Sequence, residues 1–223
     1  MIAVAEADLP ERFDGKFNNS EEIREVNFDA FDLDVSVVHL ETEEDVSDKI
    51  VSYIEKMIRK SNEYRNYISY LKNEVNLTKC SLLEGLDIEE AKFSLEFHHF
   101  PLNLFEITSA IIRKKIEDLD DGETLSCFDV ADTVMQEHYK NNIGLVPLSS
   151  TLHKMAHNKS IIIPYSKIYG NYESFIKTYG SYLPDEVSER VMVDRIGNSS
   201  KDVEKYNADK LKKIVTNFDI NYD

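Results

Sequence analysis

Two spacings of apolar residues occur along the first third of the chain, and each predicts a different element. Residues 32–40, DLDVSVVHL, alternate and are rich in valine, which is typical of a strand. From Thr42 to about residue 75, apolar residues recur three or four positions apart, which predicts one long helix with a break near Ser61. Thr42 with Asp45 three residues later has the pattern of a helix N-cap, so the helix is expected to begin there.

In the next stretch of sequence, the spacing of apolar residues changes several times. Residues 79–101 hold two apolar runs around Gly85, which predicts a β-hairpin with a long loop that stops at Pro101. Helical spacing returns over 102–118 and 128–140, on either side of a polar turn. A short apolar run, GLVPL, then precedes a Ser/Thr cluster, which we expect to cap one more helix.

These elements predict an α+β fold with three consecutive regions. Tyr64, Tyr67 and Tyr70 follow helical spacing, so we expect them to pack in a core and not to stack on bases. The expected regions are an acidic N-terminal region with a strand and the long helix, a core with a helical insertion, and a C-terminal helical region, over residues 1–75, 76–165 and 166–223.

Charge is distributed unevenly along the 223 residues. The net charge is −16, and residues 1–50 alone carry 15 acidic against 4 basic side chains, a balance of −11. Phosphates repel such a surface, so the N-terminal part is a poor binder of nucleic acid. We expect it to be a solvated arm that packs by its phenylalanines; the alternative is an acidic surface that binds a basic patch of a protein partner or covers a site of the chain itself.

The cysteines and the apolar runs set the expected compartment. Cys80 and Cys127 form neither a disulfide framework nor a C-x-x-C metal motif, which favours a reducing compartment. No positively charged leader precedes a long apolar stretch, and no run of about 18 apolar residues occurs. The expectation is a cytoplasmic chain without membrane contact, and the sequence leaves its oligomeric state open.

Four of the six histidines form two tight clusters. His98 and His99 are adjacent at the end of an apolar run, where side chains on a strand point to opposite faces. His153 and His157 are four residues apart, so a helix places both on one face, where they can hold one metal ion. A metal site is favoured over a coincidental cluster of buried histidines, whereas the isolated His39 and His138 are expected to be structural or surface residues.

The segments LEFHHFPL and GLVPLSSTLHKMAH together resemble the HNH endonucleases of the ββα-metal class. Members of that class carry a histidine pair at the end of one strand, a second strand, and H-x-x-x-H on a following helix. The upstream CSLLEGLDI is similar to the hairpin entry of phage-encoded members, so a phage protein is expected, in the cytoplasm of the host cell. The resemblance covers about residues 79–160 and implies a ββα-metal core within the α+β fold.

The resemblance also implies a function, which is the metal-dependent hydrolysis of DNA phosphodiester bonds. His99 matches the general base of the family, and His98, His153 and His157 match its metal ligands. The implied cofactor is one divalent ion, and because imidazole ligands favour borderline ions, zinc, nickel or manganese is favoured over magnesium. Lys154 and Lys159 beside the motif are candidate contacts to substrate phosphates.

Two features depart from the HNH pattern. Gly144 stands where the family has an asparagine that braces the catalytic loop. Either Asn142 takes over that role through a shifted loop, or the loop is braced differently, or the site has decayed. About 40 residues separate His99 from the second strand, where compact members have a short loop. The alternative is therefore a catalytically inactive HNH-like scaffold that binds a protein partner through its acidic surface, and a weaker one is an RNA-directed or toxin-like nuclease that its N-terminal part restrains.

Overall fold

The computed structural model describes residues 39–83 and 94–198, together with residue 203, residues 205–207 and residues 210–211. It shows an α+β fold in which helices predominate, so the predicted class is confirmed. The elements are β1 (His39–Leu40), α1 (Asp48–Lys60), α2 (Asn62–Asn73), β2 (Leu95–His99), α3 (Leu104–Glu117), β3 (Leu125–Ser126), α4 (Cys127–Tyr139), β4 (Leu145–Ser149), α5 (Ser150–His157), α6 (Tyr172–Tyr179) and α7 (Asp185–Gly197).

The predicted long helix is two helices, and the break lies at Ser61. The Ser61 hydroxyl donates to the Ile58 carbonyl at 2.7 Å and accepts from the Tyr64 N–H at 3.0 Å, so one side chain closes α1 and caps α2. Thr42 and Asp45 form the capping box expected of them, although they cap a short 3₁₀ helix at Glu43–Asp45 and not the long helix. Of the predicted strand over 32–40, residues 32–38 lie outside the described residues.

The described residues form two compact units, each made of separate stretches of chain. The first comprises residues 39–77, Leu102–Gly144 and Gly170–Pro184. In it, α1 packs on α3 and α4, α2 packs on α4, and the short strands β1 and β3 pair antiparallel. The core of this unit is built from fully buried aliphatic side chains, which include Ile54, Ile58, Leu71, Ile111 and Val134. The three consecutive regions expected from the sequence remain a prediction, because compact packing does not test which stretches fold independently.

The second unit contains the histidine clusters. Strands β2 and β4 pair antiparallel, with Glu96 opposite Leu148 and His98 opposite Val146. Helix α5 follows β4 without a loop, because the Ser149 hydroxyl caps it by accepting from the Leu152 N–H at 3.4 Å. In the sequence, α3 and α4 lie between β2 and β4, so the two strands that pair directly are far apart along the chain.

The hairpin expected over residues 79–101 is wrong in its pairing. The strand at Leu95–His99 exists and ends before Pro101, but its partner is β4, about 50 residues later. The first run of the expected hairpin lies beside β4 instead, since the Ser81 N–H donates to the Pro147 carbonyl at 2.8 Å. Residues 84–93, which hold the expected loop, lie outside the described residues. Local turn patterns favoured a neighbouring partner, whereas burial of the apolar face of β2 selected a distant one.

Candidate metal centre

The two adjacent histidines at the end of β2 point to opposite faces, as the period of a strand requires. His99 belongs to the buried face with Leu95 and Phe97 and is 6% exposed. His98 shares the other, half-buried face with Glu96. The strand therefore divides the pair, so that one imidazole lies in the core and the other faces α5.

His98, His153 and His157 come together at one place. One ring nitrogen of each lies within 4.8 Å of the others, and the ring centroids are 4.6 to 5.1 Å apart. His153 and His157 are on the last two turns of α5, where the spacing of four residues puts their Nε2 atoms 3.3 Å apart. A strand and a helix thus bring together the three residues that the sequence predicted as metal ligands.

Glu96 contacts this cluster from the same strand face as His98. One carboxylate oxygen lies 2.6 Å from His153 Nδ1, which is the distance of a charge-assisted hydrogen bond. The sequence alone is equally compatible with a contact from Glu96 to an imidazole and with a solvent-facing position of Glu96 on the strand. The spacing of two residues on a strand was the signal for a shared face, but only pairing of β2 with β4 and the packing of α5 brought His153 to it.

The other predicted site residues lie in different surroundings. Lys154 is exposed on α5, and Lys159 is exposed just beyond the end of that helix, where its backbone has a φ of 54°. Asn142 belongs to the first unit, where its side-chain amide donates to Glu137 at 2.7 Å. Glu137 is 6% exposed and also pairs with Lys140 at 3.2 Å. Asn142 is therefore engaged with a buried carboxylate, a contact that nothing in the sequence pattern indicated.

His138 is a buried structural residue, as expected. It is 1% exposed, its Nδ1 lies 2.7 Å from the Val134 carbonyl, and the rings of Tyr64 and Tyr67 meet it edge-on. Burial holds the pKa of His138 at about 4, below its ordinary 6.5; the contact to Val134 opposes this shift and the charge of Arg59 adds to it. The folded chain therefore keeps this ring neutral at pH values where an exposed histidine is charged.

This burial predicts a loss of stability in mild acid. Below pH 6.5 the unfolded chain protonates His138, whereas the folded chain does not. The free energy of unfolding is therefore highest, as far as His138 is concerned, above that pH. It should decline as the pH falls and level off near pH 4, by at most about 3 kcal/mol. Urea unfolding at several pH values should show this decline reduced in His138→Phe. The readout is the difference in unfolding free energy between the native chain and His138→Phe, because all other groups titrate in both. If the two free energies changed in parallel with pH, the buried neutral state of His138 would be contradicted.

Helices of the described residues are all too short or too polar to cross a membrane.

The chain as a whole resembles a known family. A family model described as Bacteriophage G278-like virion protein matches residues 3–223. No curated protein and no solved structure matches the chain.

This match corrects the inference of an HNH endonuclease. The matching family is one of virion proteins, it spans nearly the whole chain, and no HNH family matches. The assigned function, hydrolysis of DNA phosphodiester bonds with His99 as general base, is therefore wrong. The physical reason is that a few residues at the end of a strand and on a following helix form a metal cluster on many folds, so they do not identify an activity.

The family match also bears on the source and the chemistry expected of the chain. The prediction of a phage protein is confirmed by the same match. Nuclease, hydrolase and DNA-binding character have no support. Several expectations remain predictions: enzymatic activity in general, the binding of DNA, the binding of a protein partner through the acidic surface, cytoplasmic localisation and the metal cofactor. Residues 1–38, which hold most of the acidic side chains of residues 1–50, lie outside the described residues.

Proposed function

Because the chain belongs to the family of Bacteriophage G278-like virion proteins, we propose that it is a structural component of the phage particle. The observation that carries this proposal is the extent of the match, which runs over residues 3–223 of 223 and so includes both compact units. A component of a particle needs well-packed units more than it needs a substrate cleft. Buried aliphatic cores in the described residues fit that requirement.

A second part of the proposal is that β2, β4 and α5 form a small ββα unit that binds one divalent ion. Support comes from three facts: the strands are paired antiparallel, the helix follows β4 directly, and the three imidazoles converge from the strand and the helix. Neutral imidazole is a good ligand for zinc, nickel and related borderline ions. The ion would connect β2 to α5, and so it would stabilise this unit against unfolding.

Particle membership is tested on the phage itself. Particles purified by density-gradient centrifugation and washed in high salt should retain the chain in a fixed ratio to the major capsid protein, as measured by quantitative mass spectrometry. A host cytoplasmic protein of similar abundance serves as the control for carry-over. Recovery of the chain only in the unassembled fraction of the lysate would contradict a structural role.

Metal binding is tested separately on the purified full chain. After treatment with a chelator and equilibrium dialysis against Zn²⁺, we expect one equivalent of bound metal by elemental analysis. The double variant His153→Ala/His157→Ala should bind none, whereas Lys154→Ala/Lys159→Ala, which alters the exposed surface of the same segment, should bind one. With free Zn²⁺ at 100 times its dissociation constant, the free energy of unfolding should rise by about 2.7 kcal/mol. Metal uptake by the double histidine variant equal to that of the native chain would exclude this site.

A further inference from the structure

The distance between two ring nitrogens bears on the kind of ion that the cluster accepts. His153 Nε2 and His157 Nε2 are 3.3 Å apart. Two nitrogens bound to one tetrahedral zinc at about 2.0–2.1 Å would be about 3.3–3.4 Å apart, from the tetrahedral angle. An octahedral ion with bonds of about the same length would hold neighbouring ligands about 2.9 Å apart. The spacing on α5 therefore matches a tetrahedral ion.

The hydrogen bond that Glu96 accepts from His153 bears on which ring nitrogen of His153 binds a metal ion. A neutral imidazole has one N–H and one lone pair, and the partner of the N–H determines where the lone pair lies. In the neutral ring of His153, a carboxylate oxygen 2.6 Å from Nδ1 favours the proton on Nδ1, which leaves the lone pair on Nε2. That Nε2 is the atom that faces His157. Glu96 thus directs the lone pair of His153 toward His157.

The same contact also fixes the direction of the ring. The Glu96 side chain is 44% exposed and that of His153 is 21% exposed, so neither is held by burial alone. Glu96 is on the paired strand β2, where Leu148 of β4 is opposite it, so its backbone is fixed by the sheet. A carboxylate that accepts from the second nitrogen of a metal-binding histidine holds the ring and increases its basicity.

We propose that Glu96 is a positioning residue that makes the His98–His153–His157 cluster a site for a tetrahedral ion of the zinc class. This inference rests on the proposed metal binding and is independent of membership in the particle. Among the described residues no fourth side chain joins the cluster. The proposal includes a water molecule or a small anion from solution at the fourth coordination position, which the azide titration below tests.

Cobalt(II) tests this inference, because it replaces zinc and its visible absorption is intense in tetrahedral sites and weak in octahedral ones. The purified full chain is titrated with Co²⁺, and then with azide as a probe of the fourth position. We expect intense bands that saturate at one equivalent and that shift when azide is added. The Co²⁺ affinity should fall about 10–100-fold in Glu96→Ala. It should fall less in Glu96→Gln, whose amide oxygen still accepts the hydrogen bond.

Glu189→Ala, at an exposed position on α7, is the matched control and should leave both the spectrum and the affinity unchanged. Each outcome has a distinct meaning. Weak, octahedral bands, or equal affinity in Glu96→Ala and the native chain, would overturn the inference and leave metal binding in place. Bands that do not respond to azide would overturn the open fourth position. If the native chain binds no Co²⁺ and no Zn²⁺, the inference and the proposed metal binding both fail, and His153 and His157 simply share a hydrogen bond.

Discussion

His98→Ala is expected to weaken Zn²⁺ binding by at least about 100-fold, and His99→Ala is expected to change it little. The reason is the period of the strand, which places His98 toward α5 and His99 in the core, although the two residues are adjacent. Loss of a group that only orients a ligand costs about 10–100-fold in metal affinity, and loss of a ligand costs more. Isothermal titration of the purified chain with Zn²⁺ measures both variants.

Comparing two neighbouring positions gives this experiment its control. Both variants lose one imidazole from the same strand, so a general effect of removing histidine would appear in both. His99→Ala also removes a buried ring, and its free energy of unfolding should fall, whereas its far-UV circular dichroism should remain native. The assignment of ligands would be refuted if His99→Ala lost the ion while keeping its helices, or if His98→Ala retained native affinity.

Tyr67→Ala is expected to lower the free energy of unfolding by about 3–5 kcal/mol, the range for removal of a large buried aromatic ring. Tyr67 is 1% exposed and lies at the centre of an aromatic cluster. Its ring centroid is 5.1 Å from that of Tyr139, 5.2 Å from that of His138 and 6.4 Å from that of Tyr70. The ring joins α2 to α4, so its removal leaves a cavity between two helices. Urea unfolding monitored by circular dichroism is the measurement.

Two further variants make the Tyr67 result specific. Tyr67→Phe keeps the ring and should cost no more than about 1 kcal/mol, the net value of a typical hydrogen bond. Tyr206→Ala removes a tyrosine that is 41% exposed and should change the free energy of unfolding by no more than about 0.5 kcal/mol. If Tyr67→Ala lowered the free energy of unfolding as little as Tyr206→Ala does, the aromatic cluster would not be a centre of packing between α2 and α4. The expectation from the sequence that these tyrosines pack in a core is confirmed for Tyr67 and Tyr70, since Tyr70 is 8% exposed.

Local elements of this chain were largely predictable because their causes are local. A helix over residues 102–118 was expected from apolar spacing, and the structure has one over Leu104–Glu117. Asn103 caps it by accepting from the Glu106 N–H at 2.9 Å. The end of α1 near Ser61 was expected for the same kind of reason, because a serine competes with the helix for backbone hydrogen bonds. Such interactions span three or four residues, so the sequence contains all the atoms that decide them.

Pairings over long distances were less predictable. The expected hairpin failed because the choice of partner for β2 depends on which distant strand covers its apolar face. Glu137 was missed for a similar reason, since its contacts with Asn142 and with Tyr179, whose hydroxyl is 3.5 Å away, require α4 and α6 to be in place. A charged residue on a helix is normally a surface residue, and only the packed structure shows this one to be buried.

The sequence by itself determined the histidine pattern, namely the division of His98 from His99 by the strand period and the shared face of His153 and His157 by the helix period. It could not determine the activity, because short motifs that fold locally recur among unrelated proteins. The match over residues 3–223 places the chain in the family of Bacteriophage G278-like virion proteins instead. Only the tertiary structure decided that the strand and the helix meet, and that Glu96 reaches His153 at 2.6 Å. That meeting depends on pairing between segments about 50 residues apart, which is set by burial of the whole unit and by no local pattern.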